Sequence, residues 1–291
     1  MMAFWFTVLS MALLVPQSSA QVFDTTIAPG ANYDKAEFRM WVPPDVADLR
    51  GLVVLVPGSN GDGRPMAEDK FWQDFAVTQR VALVACRFTD KPHDQGFIEE
   101  YVDVSKGSGQ ALLTAIERLS IQAKRPNIAA LPMYLWGMSA GGEFNYEFVA
   151  WKPEKVAAFI VNKGGIYYTA LASKAARAVP GILFVGEKDL DSRTFTVKGL
   201  YAVNRRAGAL WALAEEPGLA HVVGKSQELG AVLFEEVLNA APGSLNGKSG
   251  FVAGIHTHEI QPAATAATNN VLTSWFVSER LAQAWLAAIT K

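Results

Sequence analysis

The chain has 291 residues, of which 50% are hydrophobic, and its formal net charge at pH 7 is −2. This length and hydrophobic content allow a large buried core in one α/β domain or two small ones. The balanced charge gives no electrostatic reason to expect binding to nucleic acid or to an anionic membrane surface. The only cysteine is Cys86, which excludes an intrachain disulfide.

Residues 1–20 have the composition of an export signal. An apolar run over residues 3–15 is broken by Pro16, and the small residues that end at Ala20 suit a signal peptidase. Cleavage is predicted before Gln21, although no Lys or Arg precedes the apolar run. The run is shorter than the ~20 residues that span a bilayer, and the simpler alternative is a buried N-terminal helix. We expect no stable membrane span after cleavage, and export to a bacterial periplasm or exterior because no disulfide is possible.

Strands and helices alternate along most of the chain. Residues 36–42 alternate between apolar and polar side chains, which predicts a half-buried edge strand. Continuous apolar runs predict buried strands at residues 51–56, 81–86, 133–136, 156–161, 182–185 and 210–214. Helical spacing is found at residues 71–77, 108–123, 144–151, 193–206, 227–240 and 275–289, and residues 241–270 are predicted as a loop. This order predicts a single α/β domain over residues 21–291, with a mostly parallel central sheet and helices on both faces.

One stretch combines a strand, a tight turn and a helix. The run 133–136 leads into Gly137-Met-Ser139-Ala-Gly141, and apolar side chains at helical spacing follow. This G-x-S-x-G pattern is typical of a serine on a sharp strand-to-helix turn, where larger side chains two positions away would collide with neighbouring backbone. The N–H groups at the start of the helix point towards any oxyanion formed there. A turn serine without a chemical role is the simpler alternative.

In open α/β sheets, the functional polar residues lie on loops that follow the C-terminal ends of strands. Asp189 and Asp191 follow one predicted buried strand, and His221 follows the next. A serine hydroxyl needs a base within hydrogen-bond reach, and that base needs a partner that orients it. Ser139, His221 and one of the two aspartates, with Asp189 favoured over Asp191, meet this need. An ordinary surface histidine is the alternative for His221.

The order Ser, Asp, His on this strand pattern resembles the α/β-hydrolase superfamily. Within it, the chain resembles exported esterases related to polyhydroxybutyrate depolymerases and feruloyl esterases. The resemblance is carried by residues 57–61, 136–142, 186–189 and 218–221, and it extends over about residues 36–240. It implies an α/β-hydrolase fold with little or no lid, because the segment between residues 161 and 181, where many relatives insert a lid, is short.

The resemblance also implies a role for each matching residue. Ser139 is expected to be the nucleophile, His221 the general base and then acid, and Asp189 the residue that orients His221. The backbone N–H groups of Ser59 and Ala140 are expected to form the oxyanion hole.

Four further residues are predicted to border the substrate. Asn60 lies in the glycine-rich loop beside Ser59, and Met138 precedes the nucleophile at a position where many relatives carry histidine. Tyr167 and Tyr168 fall in the short segment where a lid would be inserted. Packing without substrate contact is the alternative for both tyrosines.

Other chemistries have less support. His256 and His258 share one face if their segment is extended, as in some metal sites, but no further ligand cluster accompanies them, so a solvated loop is favoured. Residues 107–109 lack the third glycine of a dinucleotide fingerprint. Cys86 lies in an apolar run and is predicted as a small buried side chain. We therefore expect no cofactor and no metal.

Taken together, the sequence predicts an exported serine hydrolase that cleaves carboxylic esters through a Ser-His-Asp triad and an acyl-enzyme intermediate. Its expected partner is a small-molecule or polymeric ester, with no nucleic acid, and its oligomeric state is left open. Two alternatives use the same residues: a catalytically silent binding protein of the same fold, and an exopeptidase or amidase.

Overall fold

The structure is a computed structural model that describes residues 20–96, 98–266 and 270–290. The predicted signal peptide lies outside these ranges except for Ala20. The strands are β1 (Gln21–Ile27), β2 (Lys35–Val42), β3 (Gly51–Val56), β4 (Val81–Thr89), β5 (Met133–Gly137), β6 (Val156–Asn162), β7 (Gly181–Gly186), β8 (Trp211–Glu216), β9 (Phe251–Gly254), β10 (Ile260–Pro262) and β11 (Thr273–Phe276). The α-helices are α1 (Lys70–Gln79), α2 (Ser108–Gln122), α3 (Ala140–Trp151), α4 (Lys174–Arg177), α5 (Asp191–Arg206), α6 (Ser226–Asn239) and α7 (Glu279–Ile289).

Eight strands form the central sheet, in the order β1-β2-β4-β3-β5-β6-β7-β8. Neighbours from β4 to β8 are parallel, whereas β2 is antiparallel to both β1 and β4. The prediction of a mostly parallel sheet is confirmed. The prediction that residues 36–42 form an edge strand is wrong, because β1 pairs with β2 along its whole length and is itself the edge.

Helices cover both faces of this sheet, as predicted. Every side chain of β3 is buried, and successive ones point to opposite faces. Leu52 and Val54 belong to the core that contains residues of α2 and α3, whereas Val53 and Leu55 belong to the core that contains residues of α1 and α6. Burial on both faces is the reason that the strand is a continuous apolar run. Each such side chain contributes about 1.5–3 kcal/mol on burial, so the central strands provide a stable base for the loops that leave them.

The C-terminal region differs from its prediction in three places. Glu215 and Glu216, which follow the predicted strand 210–214, are the last two residues of β8. Residues 241–270, also predicted as a loop, contribute β9 and β10 to a second sheet of order β10-β9-β11. The last helix begins at Glu279, because Trp275 lies in β11 with its ring buried. Strands of three or four residues are too short to show the period-two alternation by which strands are predicted.

The parallel strands place their C-terminal ends, and the loops that follow, at one edge of the sheet. Between β6 and β7 the chain forms one four-residue helix, α4, in agreement with the prediction of little or no lid. None of the helices in the described ranges has the length and apolar character needed to cross a bilayer.

Candidate active site

Ser139 lies on the turn between β5 and α3 in a strained backbone conformation. Its φ is 55° and its ψ is −126°, and non-glycine residues in such sparsely populated regions cost about 1–3 kcal/mol. The Ser139 N–H donates to Asn162 O at 2.7 Å, which fixes the turn to the end of β6. A Cβ on Gly141 would lie 2.5 Å from Pro57 O. Glycine at this position therefore lets α3 start this close to the end of β3.

The imidazole of His221 is hydrogen-bonded to Asp189. His221 Nδ1 lies 2.8 Å from Asp189 Oδ2, and Asp189 Oδ1 accepts from Leu190 N at 2.7 Å and Arg193 Nη1 at 3.1 Å. Burial acts to raise the pKa of Asp189, but the hydrogen bonds from His221 and Leu190 outweigh it and hold the pKa below its ordinary value of 3.8. Asp191 is the exposed first residue of α5. Of the two candidate aspartates, Asp189 is thus the one that contacts the imidazole, and its ionised carboxylate leaves Nε2 free to accept a proton.

The backbones of Ser139 and the His221 loop are connected through Asn162, the last residue of β6. Its carbonyl accepts from Ser139 N, and its Nδ2 donates to Val223 O at 3.0 Å. Within the described residues, no hydrogen bond joins Ser139 Oγ to the imidazole. Catalytic hydrogen bonds are often long before substrate binds. The structure therefore brings the two loops to one shared residue, Asn162.

Two backbone N–H groups beside Ser139 have no acceptor in the described part of the chain. One is that of Ala140, the first residue of α3, and the other is that of Ser59 in the loop after β3. This loop lies against Ser139, since a Cβ on Gly58 would lie 3.5 Å from Ser139 Cβ. Unused donors next to a nucleophile are what an oxyanion hole requires.

A cleft with a volume of about 520 Å³ opens at Ser139. Its charged wall residues are Glu99, Glu143 and Arg193. Glu143 is 4% exposed, and its Oε1 accepts from Gly165 N at 2.6 Å, whereas Oε2 has no partner among the described residues. Burial raises the pKa of Glu143 to about 7, in spite of the hydrogen bond from Gly165. A carboxyl that holds its proton near neutral pH thus stands in the wall of the cleft.

The four residues predicted to border the substrate lie outside the walls of this cleft. Asn60 lines a neighbouring cleft, where its Oδ1 accepts from Asp90 N at 2.8 Å. Met138 is half-buried and packs on the core between the sheet and α1 and α6. Tyr167 packs edge-on against a ring of α3, and Tyr168 is 49% exposed. Neither ring lines the cleft at Ser139, and a substrate contact by either tyrosine stays a prediction.

Asn162 and Lys163, which are buried directly after the apolar part of β6, were not among the predicted functional residues. A signal was present, because polar residues that follow a buried strand are the same pattern that selected Asp189 and His221. Glu143 gave no comparable signal, since it lies inside a helix.

His256 and His258 lie between β9 and β10, and the ring of His258 packs against Trp285 with centroids 6.2 Å apart. In the ranges that the structure describes, no three or more His, Cys, Asp and Glu side chains are grouped so that they could hold a metal ion.

Solved structures share this arrangement of strands and helices. The poly(3-hydroxybutyrate) depolymerase LpqC from Bordetella parapertussis is 16% identical, with a TM-score of 0.52 over 78% of this chain and 92% of that chain. A ferulic acid esterase is 12% identical, with a TM-score of 0.55 over 76% of this chain and 98% of that chain. Poly(aspartic acid) hydrolase-1 from Sphingomonas sp. KT-1 is 15% identical, with a TM-score of 0.51 over 73% of this chain and 96% of that chain. This chain has the α/β-hydrolase fold.

No protein-family model and no curated protein matches the sequence, so the similarity concerns the fold. In this α/β-hydrolase fold Ser139 follows β5, Asp189 follows β7 and His221 follows β8. The three residues thus occur in the chain order Ser, Asp, His at one edge of the sheet, as in the triads of this superfamily.

Proposed function

We propose that the protein is an exported serine hydrolase that cleaves carboxylic esters through an acyl-enzyme. The observation that carries the proposal is the 2.8 Å contact between His221 Nδ1 and Asp189 Oδ2 at the sheet edge that also holds the strained Ser139. Backbone strain persists where surrounding contacts enforce it, and it is concentrated at active sites. An ester substrate is supported by the ferulic acid esterase among the structurally similar proteins.

In the proposed acylation, Ser139 Oγ attacks the ester carbonyl carbon while His221 Nε2 takes the hydroxyl proton. Asp189 orients the imidazole and stabilises the imidazolium without taking the proton. The negative charge on the carbonyl oxygen is stabilised by the N–H groups of Ser59 and Ala140. When the C–O bond to the alcohol breaks, His221 donates its proton to the leaving oxygen, and the acyl group remains on Ser139.

Deacylation repeats these steps with water as the nucleophile. His221 removes a proton from the water, the hydroxide attacks the acyl carbon, and the carboxylic acid leaves as Ser139 regains its proton. The open cleft at Ser139 gives room for the acyl or the alcohol part of the ester. Export is supported by the sequence alone, through the apolar run over residues 3–15 and the small residues that end at Ala20.

The decisive variant is Ser139→Ala. Without the nucleophile, kcat for p-nitrophenyl acetate should fall about 10⁴-fold or more, with the circular dichroism spectrum unchanged. Ser244→Ala, at an exposed serine after α6, is the matched control and should retain full activity. Turnover by a folded Ser139→Ala variant at the parental rate would refute the proposal.

Two further measurements separate the alternatives. Rapid labelling of Ser139 by a fluorophosphonate excludes a catalytically silent binding protein, because only an activated serine reacts quickly. Comparison of p-nitrophenyl acetate with p-nitroacetanilide distinguishes an esterase from an amidase. Since an amidase also cleaves such an activated ester, the deciding readout is the anilide: we expect no detectable turnover of p-nitroacetanilide, and clear turnover of it would assign the triad to amide hydrolysis.

A further inference from the structure

A buried ion pair lies beneath the loop that carries His221. Lys163 and Glu216 are each 1% exposed. Lys163 Nζ donates to Glu216 Oε2, to Val222 O at 3.0 Å and to Asn162 Oδ1 at 3.2 Å. An ammonium group has three protons to donate, and each of them has an acceptor here. The ion pair is thus also a direct link to the residue that follows His221.

The same loop encloses the carboxylate of Glu216. Glu216 Oε1 accepts from Lys225 N at 2.6 Å. A Cβ on Gly224, whose φ is 56°, would collide with this carboxylate. Residues 217–225 therefore close around the ion pair, with Glu216 at one end of the loop and Lys225 at the other.

Lys163 occupies this position in a backbone conformation that is rare for a residue with a long side chain. Its φ is 57°, in the left-handed region that costs roughly 1–2 kcal/mol for residues with a Cβ. Surrounding contacts must enforce such strain, and strained residues of this kind cluster at functional sites. The proposed acylation and deacylation do not use the charge of Lys163 in any step.

The contacts of Asn162 extend the link from His221 to the nucleophile. Val222 O is held by Lys163, and Val223 O is held by Asn162 Nδ2. Asn162 O accepts from Ser139 N at 2.7 Å. A buried ammonium group without acceptors has a high free-energy cost. The hydrogen bond from Lys163 therefore restrains the position of the Val222 carbonyl. Movement of a catalytic group by 1 Å can lower a rate about 10²-fold.

We propose that Lys163, held by Glu216, is a positioning residue that sets the distance between the His221 imidazole and the Ser139 hydroxyl. This inference rests on the proposed function, because the distance matters only if His221 acts as the base. Lys163 touches neither of the two side chains and acts through the backbone of the loop.

The test is the double variant Lys163→Met/Glu216→Gln. It removes both charges, so no unpaired ion remains in the interior, and the introduced amide keeps an oxygen for Lys225 N. The Val222 carbonyl loses its donor. With concentrations corrected for folded protein by circular dichroism, kcat for p-nitrophenyl acetate should fall roughly 30- to 100-fold, while KM changes less than twofold. An unchanged kcat would overturn the inference.

A double-mutant cycle with His221→Ala shows whether the effect passes through the histidine. In the His221→Ala background, Lys163→Met/Glu216→Gln should lower the residual rate less than threefold. An equal loss in both backgrounds would mean a structural role and would overturn the inference. If His221→Ala itself keeps full activity, the proposed function has failed. If it is inactive while Lys163→Met/Glu216→Gln keeps its kcat, only the positioning role has failed.

Two more variants complete the design. Arg205 is another buried cation, 4% exposed, that donates to Thr273 O at 2.7 Å and Ala209 O at 3.1 Å near the start of β8, at the opposite edge of the sheet. Arg205→Met should therefore lower stability and leave kcat of the folded protein unchanged. If Lys163→Met/Glu216→Gln does not fold, Lys163→Gln/Glu216→Gln, in which the two amides can pair, is measured in the same cycle with the same criteria. The shorter amide at position 163 reaches Val222 O less well, so kcat should again fall.

Discussion

Gly186, the last residue of β7, lies against the loop that carries His221, and we predict that one added methyl group at this position displaces the imidazole. A Cβ there would lie 2.5 Å from Leu219 O, 2.7 Å from Ala220 O and 3.1 Å from Lys163 Cε. The two carbonyls immediately precede His221, and they would have to retreat by at least 0.5 Å and 0.3 Å, respectively, to reach 3.0 Å, below which contacts of a Cβ are essentially never found. Overpacking of this kind costs about 1–3 kcal/mol.

Gly186→Ala is therefore expected to lower Tm by about 2–10 °C and to move the imidazole away from its position. Because a 1 Å misplacement of a catalytic group can lower a rate about 10²-fold, we expect this displacement of the imidazole to lower kcat about 10- to 100-fold. The measurements are kcat and KM with p-nitrophenyl acetate, on protein whose folded fraction is known, and a thermal unfolding curve.

Gly199→Ala is the matched control for this substitution. Gly199 is exposed on α5, and a Cβ there has no heavy atom within 4 Å. Alanine in a helix interior is favoured over glycine by about 0.5–1 kcal/mol, so this variant should gain stability at unchanged kcat. A Gly186→Ala variant with parental kcat and parental Tm would show that the loop is not packed on β7 as described.

Two further predictions concern the carboxylates of the site. Asp189→Asn should lower kcat about 10⁴-fold because the imidazole loses its orienting acceptor, whereas Asp191→Asn should retain the parental rate; equal effects of the two in the same ester assay would contradict the assignment. Burial raises the pKa of Glu143 to about 7, above its ordinary value of 4.5. Because the folded protein binds this proton more tightly than the unfolded chain, the resulting stabilisation is complete below pH 4.5. It is lost as pH rises through 7, which lowers the free energy of unfolding by about 3 kcal/mol. Glu143→Gln should become progressively more stable than the parent between pH 5 and pH 8 in urea unfolding, and a pH-independent difference would contradict this pKa.

The predicted elements were most accurate where burial leaves a pattern within the element itself. The runs 51–56 and 133–136 were identified as strands because both faces are covered, and the structure has them as β3 and β5. β1 was missed because none of its residues is fully buried and its apolar alternation is broken by the half-buried Thr25 and the exposed Val22. β1 is a strand because it pairs with β2, and the residues 21–27 by themselves do not indicate that partner.

What the sequence alone determined about the site is local. Gly137 is required by its own turn, because a Cβ there would collide with Gly141 O, and the aspartate and histidine loops follow from the ends of strands. Gly141, by contrast, is required by the carbonyls of Val56 and Pro57, which only the folded chain brings to it. The choice between Asp189 and Asp191 was made by tertiary structure, through a contact with a side chain 32 positions away. The same holds for Lys163 and Glu216, which are 53 positions apart. Periodicity records whether a side chain is buried, and only the folded chain decides which distant partner it meets.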